Sequence, residues 1–211
     1  MLNDTDEEAA IADQWTRTAA RSAVVVIASF LSGVGTFFAQ GFLPDAVTSF
    51  ANSASGWTLV TVLLLWWARV HTALAALLGA ASFALLTLGY SAAAQLQDLY
   101  YDPTLFVAVG VVVGPFVGIA TSWLRSVSSW QAATATTLLA GIGVGESAYG
   151  LTVVADTTSP VYWALIGAVA IALLVAMLLL RIRGVQWRLL AVVGTGVTAG
   201  AFVAAYSRGG V

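Results

Sequence analysis

Residues 104–125 read TLFVAVGVVVGPFVGIATSWLR. The 21 residues before Arg125 carry no charge. At about 1.5 Å of rise per residue they cover the roughly 30 Å of a bilayer's hydrocarbon core. The pattern recurs on both sides, over 22–40, 46–68, 72–92, 128–150, 160–180 and 187–206, in segments of 19 to 23 residues. The 211-residue chain is 60% hydrophobic and 9% charged, whereas a soluble domain is roughly half apolar and a quarter charged. The composition argues against a water-soluble fold and predicts an all-α polytopic bundle of seven transmembrane helices. A short acidic segment precedes it over 1–21, and a short tail follows it over 207–211.

Charge placement orients the bundle. All eight cations are arginine. Arg17, Arg21, Arg69, Arg125, Arg181, Arg183 and Arg188 fall on one side of an alternating topology, and Arg208 falls on the other. The positive-inside rule then predicts a plasma-membrane protein with a cytoplasmic amino terminus and an extracytoplasmic carboxyl terminus. Tyr90, Tyr100, Tyr101, Tyr149, Tyr162 and Tyr206 lie near the outer ends and Trp15, Trp66, Trp67, Trp123, Trp130 and Trp187 near the inner ones, as interfacial belts would. Trp57 sits deeper and is expected to pack against lipid. The segment 1–21 holds Asp4, Asp6, Glu7, Glu8 and Asp13 and lacks the basic start of a signal peptide. Thr5 and Glu8 have capping-box spacing for a short interfacial helix, but a frayed, solvated tail is the expectation.

Six spans also read as three parallel hairpins after a first helix. Each opens at a proline (Pro44, Pro103, Pro160), descends to an arginine (Arg69, Arg125, Arg181) and returns to a tyrosine (Tyr90, Tyr149, Tyr206). The same placements follow from interface preferences alone, so the spacing leaves both readings open. Ser159 before Pro160 and Asp102 before Pro103 fit an N-cap followed by proline in the first turn. Gly110, Gly114 and Gly118 recur every four residues, as do Gly141 with Gly145 and Gly196 with Gly200. These faces predict close helix packing within the chain or with a membrane protein partner or second copy.

Absences narrow the chemistry. Without lysine there is no Schiff-base site, and without cysteine no disulfide or thiolate. His71 is the one histidine, no metal-spaced ligands occur, and no cofactor or nucleic-acid partner is expected. Enzymatic signatures are missing, so an enzyme is the least expected class. Glu146 is the one carboxylate inside a span, and intramembrane charges are the default place to look for function. It can exchange a proton, bind a cationic or hydroxylated ligand, or simply tie neighbouring helices together. Gln40, Asn52, Tyr90 and Tyr149 come to the same height, predicting an outward-facing polar pocket with Glu146 for a small solute or cation. Residues 44–56 read as part of the second helix, as a re-entrant segment or as an ordinary loop.

Gln40-Gly41-Phe42-Leu43-Pro44, Ala51-Asn52-Ser53, Gly114-Pro115 with Gly118, Trp123-Leu124-Arg125 and Gly145-Glu146 with Tyr149 together resemble an uncharacterised family of actinobacterial multi-pass integral membrane proteins, a domain of unknown function. The resemblance covers roughly residues 25–150. It implies a small polytopic membrane protein and brings no activity with it. Solute binding or transport through the polar pocket is the favoured function, and an accessory or assembly subunit packing through its glycine faces is the alternative.

Overall fold

A computed structural model describes residues 4–209, in which every regular element is helical. The helices are α1 (Asp4–Phe42), α2 (Ala54–Ala68), α3 (Thr72–Gln95), α4 (Thr104–Trp123), α5 (Ser129–Thr152), α6 (Pro160–Leu180) and α7 (Val185–Gly209), with a 3-10 turn at Thr48–Asn52. Five of the described helices, α1, α3, α4, α6 and α7, are long and apolar enough to cross a membrane. Their outer faces carry large apolar side chains, such as Val112 at 65%, Leu179 at 75% and Val197 at 67% exposure. So much uncovered apolar surface suits lipid rather than water.

The two remaining helices differ for physical reasons. α5 is 24 residues long, but 13 of them are buried. A helix surrounded by protein has no need of an apolar circumference, so α5 can carry Gln131, Thr136, Glu146 and Ser147. α2 has 15 residues, about 22 Å of helix. It falls short of a full hydrocarbon core, and the stretch 46–68 is broken at Ser53 rather than continuous. Residues 44–56 therefore form a loop, a 3-10 turn and the first residues of a short helix, packed so that Ala51, Ser53 and Ser55 are buried.

One expectation is corrected at the amino end. The acidic segment is not a frayed tail: Asp4 through Phe42 is one 39-residue helix, about 58 Å long. The side chain of Thr5, and with it the proposed capping box, lies outside the described residues. At the other end α7 runs to Gly209, through most of the segment expected to be a tail.

The tightest pairings are α3 with α4 and α5 with α7, followed by α1 with α3 and α5 with α6; α6 scarcely touches α7. Close packing therefore does not follow the three hairpins. It follows small residues. A Cβ on Gly114 would lie 2.6 Å from the Gly79 carbonyl oxygen, one on Gly118 2.0 Å from that of Ala75, and one on Gly110 2.8 Å from Phe83 Cβ. Gly141 and Gly145 likewise abut Thr198 and Ala199 on α7. Gly196 and Gly200 are not packed within the described part of the chain: none of the described residues lies within 4 Å of where their Cβ atoms would be. The face of α7 that meets α5 carries Ala191, Thr195 and Ala199 instead, all buried.

Ser159 caps α6 with Pro160 in its first turn, as the spacing predicts. At α4 the helix starts one residue later, at Thr104, whose N–H donates to Asp102 Oδ1 at 2.9 Å. Hydrogen bonding from Thr104, by its side chain first and its backbone N–H second, holds the Asp102 carboxyl below the usual carboxylate range. Pro115 lies within α4 without ending it.

Candidate functional site

A helix that starts among other helices must still satisfy its first N–H groups, which have no partner within the helix. In α2 those of Ala54, Ser55 and Gly56 are met from outside the helix, and that of Trp57 makes the first bond of the helical ladder. Ala54 N–H donates to Glu146 Oε1 at 2.8 Å and Ser55 N–H to Glu146 Oε2 at 2.6 Å. Gly56 N–H donates to Ser53 Oγ at 2.9 Å and Trp57 N–H to the Ser53 carbonyl at 3.1 Å. The Ser53 hydroxyl also shares a hydrogen bond with Tyr162 OH from α6. Glu146 is 3% exposed, so its carboxylate is compensated by backbone dipoles and the positive end of a helix rather than by water.

The five residues expected to form one pocket are distributed over neighbouring contacts. Gln40 Nε2 donates to Tyr90 OH at 2.8 Å, joining α1 to α3. The Tyr90 ring meets Phe37, Trp57 and Tyr101. Tyr149 packs edge-on against Tyr206 of α7, with centroids 5.6 Å apart. Asn52, at the end of the 3-10 turn, is exposed. Glu146 is thus engaged with α2, and Gln40 with Tyr90. Trp57 links the two layers: it is buried at 9% exposure, not lipid-facing, and its Nε1–H donates to the Ala51 carbonyl at 3.2 Å. Tyr162, expected in an interfacial belt, is also buried, at 5%.

At the far end of α2 the polarity reverses, and cations meet the last carbonyls. Arg21 Nη1 donates to the Ala68 carbonyl at 3.4 Å. Arg125, just beyond α4, donates to the Trp66 carbonyl, its guanidinium 3.7 Å from the centre of the Trp66 ring. One short helix is thus held by a carboxylate at its positive end and by guanidiniums at its negative end, all from other elements.

The profile of DUF6518, a family of unknown function, matches residues 12–211. The chain belongs to that family. No curated protein and no solved structure gives a significant match. In this DUF6518 protein the match extends well beyond the 25–150 stretch in which the resemblance was legible.

Several residues of this family member escape a sequence reading. Ser53 and Tyr162 build the cap with Glu146, yet a serine in a loop and a tyrosine near a helix start are unremarkable in a membrane sequence. Ser29, Ser82 and Thr61 form a second polar contact: Ser82 Oγ lies 2.8 Å from Ser29 Oγ and 2.9 Å from Thr61 Oγ1. All three are 0% exposed. Their signal was a hydroxyl within each of three apolar spans, a pattern that interhelical hydrogen bonding favours.

Proposed function

We propose that this protein is a seven-span plasma-membrane protein, amino terminus cytoplasmic and carboxyl terminus outside, that binds or transports a small solute through the polar layer around Glu146. The observation that carries the reading is the Glu146 carboxylate closing the N-terminus of α2 inside the bundle. Half-helices that begin at depth, with their N–H groups turned toward an anion, recur at the substrate and ion sites of membrane transporters. Here the anion is the protein's own. A proton or cationic solute that engages Glu146 weakens its bonds to Ala54 and Ser55, and α2, 15 residues long, is short enough to shift as one body.

The test is thermal unfolding of purified wild-type and Glu146→Gln protein with monovalent and divalent cations, polyamines and vitamins, each compared with its own ligand-free baseline. A compound that stabilises wild type but not Glu146→Gln supports the site. Equal responses in both proteins, or none in either, sink it.

The accessory-subunit reading has one observation in its favour. Gly196 and Gly200 leave an exposed small-residue face on α7 that none of the described residues occupies. A stable membrane protein that copurifies with wild type but not with Gly196→Leu, together with a silent ligand screen, selects that reading instead.

A further inference from the structure

At the arginine end of the bundle, where α2 stops, α3 starts and α4 stops, lies a cavity of about 250 Å³. Arg69, Arg125, Thr121 and Ser122 supply its polar lining, and Leu65 and Val70 part of its apolar wall. It is separated from Glu146 by the length of α2, and the solute reading above does not use it. Three features of this cavity converge.

Its charge is uncompensated. The one ion pair among the described residues joins Arg17 to Asp13, so neither Arg69 nor Arg125 has a carboxylate. The two guanidiniums repel each other. Burial and the Arg69 charge both push the Arg125 pKa down from its ordinary value, although a guanidinium stays charged in proteins.

Its donors are held in place and only partly used. The Arg125 guanidinium lies over the Trp66 ring and spends one donor on the Trp66 carbonyl, out of the five N–H groups that an arginine fork carries. Among the described residues the Arg69 side chain makes no hydrogen bond. Two such forks facing one space match a tetrahedral oxyanion.

Its backbone holds an arginine in a conformation that disfavours one. Arg69 terminates α2 at φ 53°, ψ 39°, the left-handed conformation in which helices ordinarily place glycine. A side chain kept there against that preference points to a task beyond ending the helix.

We propose that this cavity binds a phosphate group between Arg69 and Arg125. Its volume is below the roughly 300–1,000 Å³ of pockets that enclose drug-sized molecules, which suits a single phosphate better than a whole metabolite. The phosphate comes either from an anionic lipid headgroup at the membrane surface or from a small phosphate-bearing solute, and the experiment separates the two.

The full chain is purified in detergent and its thermal unfolding followed in inorganic phosphate and in chloride at matched ionic strength, so that general screening cancels. In parallel, native mass spectrometry of protein released from phosphatidylcholine nanodiscs with and without phosphatidic acid reads lipid retention. Wild type is expected to respond to phosphate over chloride, to retain phosphatidic acid over phosphatidylcholine, or both. Stabilisation by free phosphate assigns the site to a solute, and lipid retention alone assigns it to a headgroup. Arg69→Gly relieves the backbone and so folds at least as stably without anion, yet it loses about tenfold or more of whichever response wild type shows. Arg69→Lys, a point charge in place of a fork, falls between them. Arg125→Gln provides the same reading from the other side of the cavity. Absence of both responses in wild type, or an undiminished response in Arg69→Gly, overturns the proposal.

Discussion

Ser53 serves two helices through one oxygen, accepting from Gly56 N–H at 2.9 Å at the start of α2 and sharing a hydrogen bond with Tyr162 OH of α6. The two bonds can be separated by substitution. Tyr162→Phe removes one and keeps the ring contacts with Phe50 and Trp163. It is expected to cost about 0.5–1.5 kcal/mol, the net value of one intramolecular hydrogen bond. Ser53→Ala removes both and leaves a buried N–H of α2 without an acceptor, so a larger loss of about 1–3 kcal/mol is expected. Chemical or thermal unfolding in detergent ranks them, and Tyr162→Phe costing as much as Ser53→Ala would contradict the shared cap. Glu146 itself was legible as the one carboxylate inside a span, because a lone intramembrane charge stands out in any sequence. Its partners were not, since they are the backbone N–H groups of Ala54 and Ser55, and an N–H group is present at nearly every position.

Among the elements, small residues mark two kinds of surface that spacing does not distinguish. Gly110, Gly114 and Gly118 sit where α4 meets α3, whereas Gly196 and Gly200 share the four-residue period but face open space. Periodicity says that a face is smooth; only the neighbour decides whether it is filled. The contrast makes a matched pair of substitutions. In Gly118→Ala the new methyl group would lie 2.0 Å from the Ala75 carbonyl oxygen, a backbone atom on α3. The helices must move apart, at an expected cost of about 1–3 kcal/mol. Gly196→Ala meets nothing within 4 Å and replaces a poor helix former with the best one, so its effect should be neutral or stabilising by up to about 1 kcal/mol. Unfolding midpoints for the two proteins test the assignment. A strong destabilisation by Gly196→Ala would place an interface on α7. Trp57 illustrates the same limit: its depth could be counted along the chain, but its contact with Tyr90, at 6.1 Å between ring centres, depends on which way α2 is turned.

For the whole molecule, hydropathy located the outer helices because those helices answer to the surrounding solvent, and it overran α2 because interior helices answer to each other. Ala46 to Ser53 looked like the start of a span since no charge interrupts it, but the chain there turns, seals itself with Trp57 and the cap, and enters α2 at Ala54. The arginines meet at one end: Arg21 and Arg125 both reach the last carbonyls of α2. Glu146, Ser53 and Tyr162 gather at its other end. α2 runs about 22 Å between these ends, and under the proposed seven-span reading it supplies one crossing together with the folded segment before it. In the proposed topology, that crossing counted with the other six helices makes the number odd and puts the termini on opposite sides. Two reporters check this, a fluorescent protein that matures in the cytoplasm and an alkaline phosphatase that folds outside, each fused after Arg208 and, separately, after Ser126. Phosphatase activity is expected after Arg208 and fluorescence after Ser126, the turn next to Arg125, in agreement with the positive-inside rule. With the amino terminus inside, phosphatase activity after Ser126 together with fluorescence after Arg208 would mean an even number of crossings in which α2 does not cross. Glu146 would then cap a segment that dips into the bundle and returns, and α2 could not carry a solute pathway from one side to the other.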